Sequence, residues 1–322
     1  MGREPARGRP GMVTPKDRRP PSVDVRASAK INLHLGVGAA RDDGFHPLET
    51  VYQAIGLHDE LVATEADALR VVTHGAAYVD VDAVPAGADN IVARATALLA
   101  TRLDRAAVAD FLVHKEIPVA GGMAGGSADA AAALLALDRL WDAQTPDDEL
   151  LAMAAELGSD VPFALIGGTA LGTGRGEVVT PVADSGPWWW VVVPSAAGGL
   201  STPAVYRRFD EMFPGADAQP APADRLVEAL ATGDPQRLGA VLHNDLQEPA
   251  LDLRPDLADL LDRGETEGAV RGLVSGSGPT CVFLAESPTA AHAVAAGLRG
   301  GGQEVVLVAA GPVPGAQVVE VG

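Results

Sequence analysis

The stretch Ile117–Ala133, IPVAGGMAGGSADAAAA, decides how the rest of the chain is read. An apolar run ends at Ile117, four glycines follow within six residues (Gly121, Gly122, Gly125, Gly126), and the chain then enters an alanine-rich segment. Glycine lacks a Cβ, so its backbone can curl with N–H groups turned inward and let a ligand come close. A helix starting there adds unpaired N–H groups and roughly half a positive charge. Strand, loop and helix together form an anion cradle suited to phosphate, which points to an enzyme that uses a nucleotide. A side chain placed at Gly125 is expected to fill the phosphate space. The spacing is not that of a Walker A loop, because Ser127 stands where that pattern needs lysine, and G-x-G-x-x-G fits in no register. A flexible strand-to-helix turn is the plainer alternative.

Upstream, Val23–Ala27, Ile31–Val37, Thr50–Ile55, Asp59–Thr64 and Leu69–Thr73 read as strands, with a turn at Asp42–Gly44. Asn90–Leu103 has helical spacing, Phe111–Ile117 is a strand, and Ala128–Trp141 is a strong helix. Thr145-Pro146-Asp147-Asp148 reads as a helix start with Thr145 as N-cap, and that helix stops at Gly158. Gly167–Thr180 reads as a hairpin and Trp188–Val193 as a buried strand. Beyond Pro194 the spacing predicts helices over Leu226–Leu230, Arg237–Leu246, Leu257–Glu267 and Thr289–Leu298, a strand–turn–strand over Gly272–Ala285 and a closing strand over Glu304–Ala309. This predicts an α+β protein with a disordered, weakly basic tail over residues 1–22 and two domains, 23–194 and 195–322.

The 322 residues are 47% hydrophobic but only 4% aromatic, so Val, Leu and Ala must fill the core. A net charge of −19 opposes nucleic acid and anionic lipid, and forces an anion-binding enzyme to gather its few cations at the site. The single cysteine, Cys281, excludes a disulfide framework and a cysteine-rich metal site, and is compatible with a reducing cytoplasm. Neither a secretory signal nor a membrane span is expected.

Taken alone, Lys30 reads as an edge-strand lysine and Asp160 as the N-cap of a short helix, or the two as chemical groups beside a nucleotide. His46 and Tyr206 read as packed residues or as part of a binding wall, and Ser275–Thr280 as a tight hairpin turn. Together, ASAKINLHLGV, RDDGFH, DNIVARA, PVAGGMAGGSADAAAAL, LGSDVPFAL and SGSGPT resemble the GHMP small-molecule kinases over residues 23 to 310. The AKINL, DGFH and GSDVP blocks are similar to the member acting on a cytidine-diphospho-methylerythritol in non-mevalonate isoprenoid synthesis.

The resemblance implies a two-domain GHMP kinase architecture, with a ribosomal protein S5 domain 2-like N-terminal domain and a ferredoxin-like C-terminal domain. It implies ATP and Mg²⁺ as cofactors and transfer of the γ-phosphate to the 2-hydroxyl of that substrate. Pro118, Val119, Ala120, Gly121, Gly122, Met123, Ala124, Gly125, Gly126, Ser127 and Ala128 would wrap the ATP phosphates, with Asn90 and Lys115 near the nucleoside. Asp160 would be the catalytic base and Lys30 its partner. Asn32 would hold the methylerythritol end, and Phe45, His46, Thr202 and Tyr206 would frame the cytosine. Phe45 stands where the family often has tyrosine, so a stacking face survives without a phenol. Ser127 is a candidate for Mg²⁺ by analogy with the P-loop; otherwise phosphates and water hold the metal. The resemblance implies a cytoplasmic monomer or homodimer. The alternatives are another family member, of homoserine or mevalonate kinase type, or a nucleotide-binding module without chemistry.

Overall fold

The computed structural model describes residues 20–119, 121–195 and 199–322. Most of the expected tail, and Ala120 of the loop, lie outside the described residues. Over the described residues the chain folds as two sheets, one of eight strands and one of four, among helices.

The first sheet is built on β1 (Ser22–Val37) and β2 (Leu48–Thr64), paired antiparallel along their length. Each was expected as two shorter strands. The apparent gaps are irregularities in one long ladder: the register slips between Ser28 and Ala29, opposite His58 and Ile55, and again between Asn32 and His34. A bulge breaks the alternation without ending the strand, so a period-two reading splits it. The first part of β1 alternates, burying Val23, Val25 and Ala27, whereas from Ala29 to Val37 it is buried on both faces.

β3 (Leu69–Gly75) and β4 (Ala109–Lys115) pair in parallel, joined through α1 (Ile91–Arg102), and extend the sheet beyond β2. The glycine loop leaves β4 and enters α2 (Gly125–Leu140), whose buried Ala128, Ala130, Ala131, Ala132, Ala133 and Ala136 let the helix lie close to β1 and β2. α3 (Asp147–Leu157) follows. Its N-cap is Pro146, and the Thr145 hydroxyl is buried without a partner, so the expected cap is not made. The short α4 (Val161–Ile166) leads to the hairpin of β5 (Thr169–Thr173) and β6 (Val178–Pro181), hung on β2.

β7 (Trp188–Val193) belongs to the second sheet, so the chain has changed layers before residue 194. There follow α5 (Thr202–Met212), α6 (Asp224–Leu230) and α7 (Pro235–Gly239). The helix expected to run on to Leu246 instead stops, and β8 (His243–Asn244) pairs in parallel with His34 and Leu35 of β1. After α8 (Gln247–Leu253) and α9 (Asp256–Thr266) come β9 (Arg271–Val274), β10 (Cys281–Ala285), α10 (Pro288–Gly300) and β11 (Leu307–Gly311). The second sheet, β11-β7-β10-β9, is antiparallel throughout. A further strand, β12 (Gln317–Val321), returns to the first sheet and pairs with β1, from Val23 opposite Val321 to Arg26 opposite Gln317.

One core spans both layers. Trp188, Trp190, Val192, Val282 and Leu284 of the second sheet share a cluster with Ala29, Ile31 and Leu33 of β1. Trp190 donates its indole N–H to Gln53 Oε1 at 2.8 Å, across the two sheets. An apolar cluster with this buried hydrogen bond joins the two sheets.

Candidate active site

Alternation along β1 sends Ala29, Ile31 and Leu33 into the core and leaves Lys30 and Asn32 on the opposite face. Both are buried. Lys30 Nζ donates to Asn32 Oδ1 at 2.7 Å, Asn32 Nδ2 to Thr50 Oγ1 at 2.8 Å, and the Thr50 hydroxyl to the His34 carbonyl at 2.7 Å. This relay fixes the Asn32 amide and the tip of Lys30. Lys30 is therefore not a solvating edge residue.

Asp160 stands at the N-cap position of α4, yet its carboxylate makes no cap bond. Its Oδ2 faces Lys30 Nζ at 3.6 Å, and the side chain keeps 30% of its surface exposed. The Tyr52 ring centroid lies 5.4 Å from Lys30 Nζ. Burial, reinforced by the charge of Asp160 and a hydrogen bond to it, raises the Tyr52 phenol well above its ordinary range. A carboxylate partly open to a cavity, beside a buried ammonium, has the geometry of a general base.

The glycine loop is tied down through its carbonyls. Met123 O accepts from Lys30 N at 3.2 Å and Gly122 O from Ser275 Oγ at 3.2 Å. Among the described residues, the N–H groups of Gly121, Gly122, Met123 and Ala124 have no partner within the chain. Ala124, in the left-handed region at φ 57°, offers α2 no side-chain cap, so the first-turn amides of the helix are open as well. The expected role of Gly125 is corrected here: a Cβ there would meet Ile117 Cγ2 at 3.0 Å, on the core side. Gly121, Gly122, Gly125 and Gly126 all line the cavity, but it is at Gly126 that an added Cβ would meet nothing within 4 Å. Met123 and Ala128 are fully buried beneath the loop and line nothing.

The Ser275–Thr280 turn, legible in sequence only as a hairpin, belongs to the site. Gly276 is close enough that an added Cβ would lie 3.2 Å from Asn32 Oδ1 and 3.6 Å from Lys30 Nζ. Asn244 Nδ2 holds this turn through the Val274 and Gly276 carbonyls, each at 2.8 Å. No local signal could have shown this, because Asn244 reaches the turn only through the pairing of β8 with β1.

A cavity of about 920 Å³ takes in Lys30, Asn32, Asp160, both glycine segments and, at its other end, Phe45, His46, Thr202 and Tyr206. The cations Lys30, Arg94, Lys115, Arg175 and Arg207 line it, as the acidic composition required. His46 Nδ1 donates to the Gly38 carbonyl, an acceptor only, at 2.8 Å, and its Nε2 faces Asp210 Oδ2 at 3.6 Å. The His46 and Tyr206 rings are 5.0 Å apart and tilted by 35°. Phe45 is half exposed, with the Arg175 guanidinium 5.2 Å from its ring centroid. The Thr202 hydroxyl is bonded to Ser277 Oγ at 2.8 Å.

Two of the residues expected near a nucleoside sit differently. Asn90 caps α1, accepting from Val92 N and donating to the Pro85 carbonyl, and does not line the cavity; Asp89, Ile91 and Arg94 do. Lys115 reaches the cavity wall but is only 2% exposed, bound to Asp59 Oδ2 at 2.5 Å and Asp129 Oδ2 at 2.6 Å. Burial works against its charge, but the two carboxylates outweigh this and hold its pKa up. Among the described residues no group of three or more His, Cys, Asp or Glu is arranged to hold a metal ion, and no helix is long and apolar enough to cross a membrane.

Comparison with known families agrees with this geometry. The family described as GHMP kinases N terminal domain matches residues 90–168, and GHMP kinases C terminal matches residues 226–303. The chain belongs to the GHMP kinases. Within them, a protein of a Nocardioides species named 4-diphosphocytidyl-2-C-methyl-D-erythritol kinase is 62% identical over 92% of this chain and 99% of its own length. One of the same name from Nocardia farcinica is 53% identical over 94% of this chain and 97% of its own. A crystal structure of 4-(cytidine 5'-diphospho)-2C-methyl-D-erythritol kinase superposes with a TM-score of 0.72 at 34% identity, covering 89% of this chain and 98% of that one. Homoserine kinase from Cytophaga hutchinsonii superposes with a TM-score of 0.71 at 18% identity, covering 97% of this chain and 100% of that one, a likeness of fold alone.

Proposed function

We infer that this chain phosphorylates the 2-hydroxyl of 4-diphosphocytidyl-2-C-methyl-D-erythritol with ATP, in the methylerythritol phosphate route to isopentenyl diphosphate. The observation that carries the reading is the position of the Lys30–Asp160 pair, between a cradle of free amides and a pocket framed by His46 and Tyr206. Phosphoryl transfer needs alignment and charge neutralisation more than covalent chemistry. The open amides of the glycine loop and the first turn of α2 hold the triphosphate, and Asp160 accepts the proton of the attacking hydroxyl. Lys30 draws the hydroxyl toward the γ-phosphorus. Asn32, oriented by Thr50, positions the sugar alcohol.

Mg²⁺ when bound offsets the charge of the β- and γ-phosphates. Ser127, on the first turn of α2, is the side chain we assign to it, with phosphate oxygens and water completing the shell. At the far end, the rings of His46 and Tyr206 frame the cytosine, and a base-edge donor or acceptor left unpaired by the wrong base costs about 1–3 kcal/mol. We place the enzyme in the cytoplasm, as a monomer or homodimer acting on a small molecule, with the two domains of the fold dividing near residue 195.

The direct test offers cytidine-diphospho-methylerythritol, homoserine and mevalonate side by side with ATP and Mg²⁺. Turnover of the first alone, with the new phosphate at the 2-position, is expected; preference for either other alcohol would reassign the substrate. Phe45→Ala is expected to raise KM for the cytidine substrate roughly tenfold, since stacking on a base is worth about 1–3 kcal/mol, and to leave KM for ATP within about twofold. The reverse pattern would exchange the two ends of the cavity. Gly126→Ala is expected to keep the fold, because alanine is favoured over glycine in a helix by roughly 0.5–1 kcal/mol, yet to weaken ATP. A melting curve and an ATP titration on one preparation check both halves.

A further inference from the structure

We propose that Asp59, Lys115 and Asp129 form a clasp that holds the two ends of the phosphate loop at a set separation, and that they are positioning residues for transfer rather than contacts to the nucleoside. The inference rests on the reading that this loop holds the triphosphate. Lys115 is the last residue of β4, immediately before the loop, and Asp129 lies in α2, immediately after it. Lys115 Nζ is bound to Asp129 Oδ2 at 2.6 Å and to Asp59 Oδ2 at 2.5 Å. The second oxygen of Asp59 accepts from Glu116 N at 2.7 Å and Ile117 N at 2.9 Å, the first two residues of the loop. A single carboxylate on β2 therefore grips the exit of β4 through two amides and, through Lys115, the entrance of α2. All three side chains are at least 94% buried.

Such a network is a costly way to add stability, because three ionisable groups have been taken out of water, and burial pushes the Asp129 carboxyl up to about 8 even beside Lys115. Asp129 Oδ1 is buried with no hydrogen-bond partner, a cost that packing alone does not explain. What the arrangement does supply is a fixed chord across a loop rich in glycine, which would otherwise sample many shapes. The amides that cradle phosphate are then pre-set before the nucleotide arrives. Asp59 does not line the cavity, so it can affect phosphate only through the loop.

The test measures ATP, inorganic tripolyphosphate and the cytidine substrate against the full-length wild type and Asp59→Asn, with the near-isosteric Asp129→Asn alongside in case the first variant folds poorly. Affinity for ATP and for tripolyphosphate is expected to fall together, by on the order of 10- to 100-fold, while KM for the cytidine substrate stays within about twofold. Unchanged tripolyphosphate affinity in the variants would overturn the clasp. So would a fall for ATP alone, which would return these residues to the nucleoside, or a matching fall for the cytidine substrate, which would make their role a general structural one. Absence of tripolyphosphate binding in the wild type would instead overturn the loop reading itself.

Discussion

Asp160→Asn is expected to lower kcat by about 10²–10⁴-fold, the usual worth of a positioned general base, while KM for ATP and for the cytidine substrate changes little. Three structural facts make this a clean substitution. The carboxylate makes no cap bond to α4, so its loss removes no helix cap. The side chain is 30% exposed and 3.6 Å from Lys30 Nζ, and the buried Lys30 keeps its hydrogen bond to Asn32 Oδ1 when the carboxylate is replaced, so the fold is expected to survive the substitution. Asparagine keeps the shape, but it cannot take a proton at neutral pH. Saturating kinetics in both substrates give the result directly, and turnover within about tenfold of wild type would remove Asp160 from proton transfer.

Gly122→Ala is expected to raise KM for ATP on the order of 10²-fold and to lower the melting temperature. Gly122 sits at φ 77°, where an L side chain costs about 1–2 kcal/mol. Its Cβ would also lie 2.4 Å from the Ser275 carbonyl oxygen and 3.1 Å from that of Gly278. Both are backbone atoms, so no side chain can swing aside, and the phosphate loop must part from the turn that sits against Lys30 and Asn32. A displacement of this size at a phosphate cradle commonly costs about 10²-fold. Gly126→Ala is the companion, since it adds the same methyl where nothing in the chain stands in its way. An unchanged ATP titration for Gly122→Ala would mean that the two glycine segments do not cooperate in holding phosphate.

Much of the fold was readable because its causes are local. Alternation marked both halves of β1 and β2, and the run of small residues marked α2. The readings that failed depended on distant partners. The bulges of β1 and β2 look like strand ends until the two strands are set side by side. β8 is two residues long and exists only because His34 and Leu35 pair with it. β12 completes a sheet begun almost 300 residues earlier, at Val23 opposite Val321. In the site, resemblance brought Lys30 and Asp160 forward together, yet residue spacing alone left each with a plain structural reading.

The sequence by itself determined that a strand opens through glycines into an alanine-rich helix. Backbone freedom and helix-end polarity belong to a few consecutive residues, and they already specify a place for phosphate. Only the tertiary structure decided that a side chain at Gly125 would meet Ile117 while one at Gly126 would meet open space, that Lys115 is held between Asp59 and Asp129, and that the Ser275–Thr280 turn closes against Gly122. These are matters of register and packing between segments far apart in the chain, where the neighbour that decides a side chain's role comes from another strand.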